Sequence, residues 1–253
     1  MTISTSAQRA LAAIALGLAA GAAGAAPIAT PIATWDATAD FSKADSAGVN
    51  GVWSYGTTGF SLNTGFTKFG FASSQGSSNY FHWHYCCGGG AGFTHQLGKN
   101  TLTDYKTGTI IIPKETLNLH PAEDGKYTTL RFTAPTDGRY QIDSSFWSNN
   151  TQVNSDVHVV LNGVSQFDQV VKGPAIGRAT GFDWDAALNL HAGDYLDFAV
   201  GYGGGEYLQD FVGVSAVVTQ VPALAEVPEP APLGLVLAGL AMLGVTLRRR
   251  GAV

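Results

Sequence analysis

Charge is scarce in this chain. Of its 253 residues, 13% are Asp, Glu, Lys or Arg, while 45% are hydrophobic. Disordered segments pair low hydrophobicity with high charge, so that class is excluded, and Glu and Lys are too few for a helical bundle. Basic residues are rarest in the middle. Setting aside Arg9, Arg248, Arg249, Arg250 and Glu229 in the two end segments leaves 10 basic and 18 acidic residues, a net charge of −8. An acidic body without basic clusters argues against nucleic acid as a partner, because neutralising phosphates takes many Lys and Arg. Cysteine is confined to the adjacent pair Cys86 and Cys87. There is no Gly-x-Ser-x-Gly elbow, His-Glu-x-x-His pattern or phosphate loop, so no catalytic residue and no cofactor is expected. Glycine is plentiful: 32 residues, about 13% against a usual share of about 7%.

The ends differ from the body. Residues 1–25 have a basic flank at Arg9, an apolar stretch over 10–20 and the small-residue pattern Ala23-Gly24-Ala25. This reads as a secretory signal peptide, since eleven weakly hydrophobic residues are too few to span a bilayer. At the other end Val227, Pro228, Glu229 and Pro230 precede an uncharged stretch over 231–247, and Arg248, Arg249 and Arg250 follow directly. Helical residues rise about 1.5 Å each, so this stretch reaches roughly 26 Å, a short transmembrane helix. With the N-terminus exported, the arginines stay on the cytoplasmic side.

The Pro228-Glu229-Pro230 motif, apolar helix and arginine cluster, in that order, resemble the PEP-CTERM sorting signal of Gram-negative bacteria that make exopolysaccharide. The resemblance implies export machinery and an exosortase as partners. It also implies inner-membrane anchoring before processing, then a place in the cell envelope or extracellular matrix. An unprocessed tail anchor needs only apolar length and flanking charge, and stays open.

Between linkers at 26–34 and 220–226, residues 35–219 read as one β domain. Short β-branched and aromatic runs alternate with Gly, Asn and Asp turns, clearest at 109–112, 128–134, 140–147, 156–161, 165–171, 184–190, 195–201 and 212–220. Asn162-Gly163 predicts a two-residue hairpin turn. Closely spaced strands without crossover helices predict an all-β, antiparallel two-sheet jelly-roll-like sandwich. Alternation points Leu130, Phe132 and Ala134 inward. It also sets Val157, Val159 and Leu161 opposite Asp156, His158 and Val160, and Leu196, Phe198 and Val200 opposite Tyr195, Asp197, Ala199 and Gly201. The phrases Gly51-Val52-Trp53-Ser54-Tyr55-Gly56, Leu130-Arg131-Phe132-Thr133-Ala134-Pro135 and Asp156-Val157-His158-Val159-Val160-Leu161-Asn162-Gly163 look like a domain often found in PEP-CTERM proteins. Related domains are similar to carbohydrate-binding, galactose-binding-like jelly rolls.

Two regions offer candidate ligand-binding residues. Read as a strand, 80–86 lines His82, His84 and Cys86 on one face and Phe81, Trp83 and Tyr85 on the other. His-x-His on a strand can hold a metal, yet a closed zinc site needs four ligands, so His82 and His84 are weak candidates and no metal is assigned. Cys86 and Cys87 form a strained vicinal disulfide, remain free thiols or bridge to another chain. Trp53, Tyr55, Trp83, Tyr85, Tyr202 and Tyr207 supply flat faces for stacking on sugar rings, with a core role as the competing reading for each. The expectation is an exported, exosortase-sorted, non-enzymatic envelope or matrix protein associated with exopolysaccharide through carbohydrate binding. The alternatives are a purely structural surface protein and a small glycan hydrolase.

Overall fold

Apolar and polar side chains alternate with period two in several segments of this chain, and a computed structural model shows those segments as strands. It describes residues 31–63, 65–75, 80–86 and 94–222. The signal segment 1–25, the sorting segment 227–253, most of both linkers, Cys87 and the glycines that follow it lie outside the described residues.

Strands β1 (Ala33–Asp36), β2 (Trp53–Thr58), β3 (Thr67–Lys68), β4 (Phe71–Gln75) and β5 (Tyr80–His84) come first. Next are β6 (Gln96–Asn100), β7 (Tyr105–Thr107), β8 (Ile110–Ile112), β9 (Leu117–His120) and β10 (Tyr127–Thr133). The last six are β11 (Gly138–Ser148), β12 (Asn154–Leu161), β13 (Val164–Lys172), β14 (Phe182–Leu190), β15 (Tyr195–Val200) and β16 (Val212–Val221). One sheet runs β14-β11-β16-β9-β6-β5-β4, with β1 also on β16; the other runs β13-β12-β15-β10-β2-β3. Pairing is antiparallel in both, and β7–β8 is a separate hairpin. From β9 to β16 the chain repeatedly changes sheet, giving the expected jelly-roll-like sandwich.

The core lies between the sheets. Leu130, Phe132, Val157, Val159, Leu196, Phe198 and Val200 enter it from one side, and Tyr140, Ile142, Phe146, Val214 and Val218 from the other. Trp53 meets Phe132 edge-on at 5.2 Å, and Trp35 packs on both Phe132 and Tyr140. The inward residues match the alternation read from sequence. The outward face of the second sheet does not stay open, however: Val160, Asp197 and Ala199 are also buried.

The Asn162-Gly163 turn forms as expected, with φ of 48° and 81°, the two positive angles of a type I′ turn. A β-bulge follows: Val160 pairs with Ser165, Val159 with Phe167, and Gln166 is the extra residue. Gly163→Ala is expected to cost about 1–2 kcal/mol, because an L side chain resists this φ. A new Cβ would also sit 3.0 Å from Asn63 Cβ. Urea unfolding of the two proteins checks this.

Candidate functional site

The bulge decides what β12 and β13 present outward. It sets Phe167 opposite Val159 on the core side and Asp168 opposite His158 on the outer side. Asp156 lies two residues before His158, on the same face. His158 Nε2 donates to Asp156 Oδ2 at 2.9 Å, while Nδ1 donates to Asp168 Oδ1. With both ring nitrogens as donors the ring is an imidazolium. Burial works against that charge, but the bonds to Asp156 and Asp168 outweigh it and hold the ring above the usual histidine range. Burial is likewise overcome at the carboxyls. Asp156 is held low by His158 and the Gly203 amide, and Asp168 by the Ser165 hydroxyl and His158.

Two adjoining hollows open around this trio, sharing Asp156 and Val170. One, of about 290 Å³, is walled by Tyr127, Tyr202 and the glycines Gly201, Gly203 and Gly204. The other, of about 520 Å³, is lined by His158, Asp168, Gln169 and Lys172. Tyr127 meets His158 edge-on at 5.1 Å. The wall needs glycine for a local reason: at Gly203 (φ 60°) a Cβ would lie 2.1 Å from the Asn154 carbonyl oxygen. Only without it can the Gly203 amide reach Asp156 Oδ1 at 2.8 Å. The result is a groove with an ionised polar floor, tyrosine walls and lysines at its margins.

Of the aromatic candidates, Tyr202 is in the groove. Tyr85 is half-buried, with Lys126 Nζ 4.6 Å above its ring. Trp83 packs on the core and donates its indole N–H to the Ser42 carbonyl at 2.8 Å. Tyr207 is half-buried in the 3-10 turn Tyr207–Gln209. Trp53 and Tyr55 require correction. Both are 0% exposed, because they sit on the inward-facing positions of β2, and neither offers a face to a sugar. Asp156, His158, Asp168 and Tyr127 were missed as a site. The only sequence signal was the shared parity of Asp156 and His158.

The His82 and His84 region is built differently. The strand ends at His84, so Cys86 does not continue its face; it is half-buried, with no bridge among the described residues. Phe81, Trp83 and Tyr85 pack on the core, which turns Tyr80, His82 and His84 to the outer face. Register sets Tyr80 beside Asn100, His82 beside Gly98 and then Asn118, and His84 beside Gln96 and then His120. This polar face is nonetheless covered, with each of its side chains at most 3% exposed. Tyr80 joins Ile112 and Phe211 in a small apolar cluster, and Phe211 lies 4.5 Å from the His120 ring. His84 bonds with the Ser73 hydroxyl and the Cys86 carbonyl. Burial pushes His82 and His120 down to about 4, leaving both rings neutral at pH 7. Among the described residues no three His, Cys, Asp or Glu side chains gather into a metal site.

No family model matches the chain, and no curated protein matches it. Among solved structures it is similar, at 12% identity and a TM-score of 0.34, to CBM51 from Clostridium perfringens GH95 in complex with methyl-galactose, over 61% of this chain and 95% of that one. It is similar at 14% identity and a TM-score of 0.31 to the CBM36-1 domain of a multidomain xylanase from the hindgut metagenome of Trinervitermes trinervoides, over 48% and 92%. It is also similar at 12% identity and a TM-score of 0.25 to rabbit GITRL, over 38% and 74%. Function therefore rests on the side chains of the site.

Proposed function

We propose that this protein is a non-catalytic glycan-binding module, with the groove between the β12–β13 hairpin and the Gly201–Gly204 wall as its ligand site. The observation that carries this is His158 clamped between Asp156 and Asp168 in a hollow that adjoins, at Asp156 and Val170, a second one walled by Tyr127 and Tyr202. Ionised carboxylates with spare lone pairs accept hydroxyl donors, Gln169 both donates and accepts, and a tyrosine ring covers the C–H face of a sugar. Hydrolysis fits less well. A glycosidase needs one carboxyl held protonated as the general acid, whereas both groove carboxyls are held low. The imidazolium has no free lone pair to act as a base.

On a glycan array, the full chain is expected to bind neutral oligosaccharides. Tyr202→Ala and Asp168→Asn should each weaken the best ligand about tenfold to a hundredfold, the range for losing a charged or stacking contact. Affinity should hold from acid to neutral pH, then fall as pH rises through the raised titration of His158, since losing that proton breaks the clamp. Absence of glycan binding by the folded protein overturns the reading and favours a purely structural role.

The two ends complete the proposal. Export by the segment 1–25 and exosortase processing at Val227-Pro228-Glu229-Pro230 would deliver the module to the envelope or matrix, where exopolysaccharide is the available glycan. Fractionation of the source bacterium with and without its exosortase tests this. Identical distribution of the protein in both sinks the sorting part alone.

A further inference from the structure

We infer that the covered polar face of β5, β6 and β9 is a second binding site, taking an uncharged, hydroxyl-bearing sugar unit beneath the cover formed by the β7–β8 hairpin and the segment from Tyr207 to Phe211. The observation is one of hydrogen-bond accounting. Twelve buried side-chain N and O atoms among the described residues lack a partner, and nine of them share this face. They are Tyr80 Oη, both nitrogens of His82, both amide atoms of Gln96, Asn100 Oδ1, Asn118 Nδ2 and both nitrogens of His120. Tyr80, His82 and His120 make only looser contacts, with Asn118, the Tyr80 backbone and the Leu208 backbone, and both amide atoms of Gln96 make none. Buried polar groups in folded proteins are nearly always well bonded, so this concentration on one face calls for a partner from outside the fold.

Elsewhere in this sheet only Ser145 Oγ is in the same position, and the polar residues just past the end of β11 are paired. Asn149 Nδ2 donates to Asn118 Oδ1 at 2.9 Å, and Asn150 Nδ2 donates to the Gln209 carbonyl and side chain. At its margins, Asn118 and Asn100, the face is paired in this way; at its centre, both amide atoms of Gln96 have no partner. Its groups are planar amides and neutral imidazoles offering both donors and acceptors, which suits hydroxyls rather than a phosphate or an ammonium. Tyr207 and Phe211 supply apolar contact from the cover, and Tyr80 supplies it from the sheet. The hairpin pairs with itself rather than with β5, β6 or β9, and it is tied down by the Ile110–Asn150 bridge, by the Ile111 amide on the Asn149 carbonyl and by the Asn100 side-chain amide on the Ile112 carbonyl. Lifting the cover breaks these few bonds and leaves the β5–β6–β9 ladder paired. Gly204, at positive φ and outside the contact that fixes Gly203 to Asp156, lies just before Tyr207 and absorbs the required backbone change.

The test is a side-chain NMR titration of the full chain, isotope-labelled at histidine, with xylo-, manno- and galacto-oligosaccharides as probes. The imidazole signals of His82 and His120 are expected to shift on addition of one probe series. Gln96→Leu should weaken that response at least tenfold while leaving the His158 response intact. If His82 and His120 stay unmoved by every probe, including at concentrations that saturate His158, the face is not a site and the inference falls. If they respond while His158 does not, the groove reading fails and this one stands. Should Gln96→Leu not fold, the titration of the unsubstituted chain decides.

Discussion

Arg131→Leu is expected to destabilise the protein by about 3–5 kcal/mol, the usual result of leaving a buried carboxylate without its cation. Arg131 lies directly across from Asp197 between β10 and β15. Its Nε and Nη2 donate to the two carboxylate oxygens at 2.6 and 2.7 Å, a bidentate pair with Asp197 fully buried. The guanidinium is held between the rings of Phe66 at 4.3 Å and Tyr195 at 3.9 Å, so its planar fork is oriented before it bonds. The double variant Arg131→Leu/Asp197→Leu should recover most of the loss, because two apolar side chains of similar size remove both desolvation costs. Urea unfolding of the two single variants and the double variant checks this. A double variant no more stable than Arg131→Leu would show that the pair, rather than the stranded charge, sets the cost.

Acid should unfold this protein through two histidines. His82 and His120 titrate near 4 in the folded state, below the ordinary value of 6.5, because burial disfavours their charged forms. Between those limits the unfolded chain binds more protons, so each ring's contribution is complete above about 6.5 and is lost as pH falls through about 4. At 1.36 kcal/mol per pH unit that is about 3 kcal/mol per ring. Asp210 acts in the opposite sense. Burial lifts its carboxyl to about 7, so the folded state binds the extra proton, and falling pH relieves a cost of about 4 kcal/mol. Accordingly His120→Gln should flatten the loss of stability between pH 7 and pH 4.5, and Asp210→Asn should steepen it. Denaturant midpoints across that range decide it; unchanged slopes in both variants would overturn the assignment.

The frame was legible because its signals are local. Alternation in 130–134 and 195–200, together with the Asn-Gly turn, requires no knowledge of distant partners, and the strands formed where those signals lay. The site was not legible for the converse reason. Asp168 reaches His158 only through a register shift that no residue between them announces. Trp53 and Tyr55 looked like stacking residues because sequence gives the parity of β2 without saying which parity faces in. His82 and His84 were placed correctly on one face. Their burial depends on side chains that parity does not name: Tyr80 stacks on His82 beneath the β7–β8 hairpin, and Phe71 of β4 stacks on His84.

The single unpaired residue at Gln166 works as a phase shifter. Without it, the two-residue turn would set Phe167 across from His158 and send Asp168 toward the interior, leaving a greasy outer ridge where the imidazolium clamp now stands. One inserted or deleted amino acid near a hairpin tip therefore decides whether His158 faces a carboxylate or a phenyl ring, with no other residue changed.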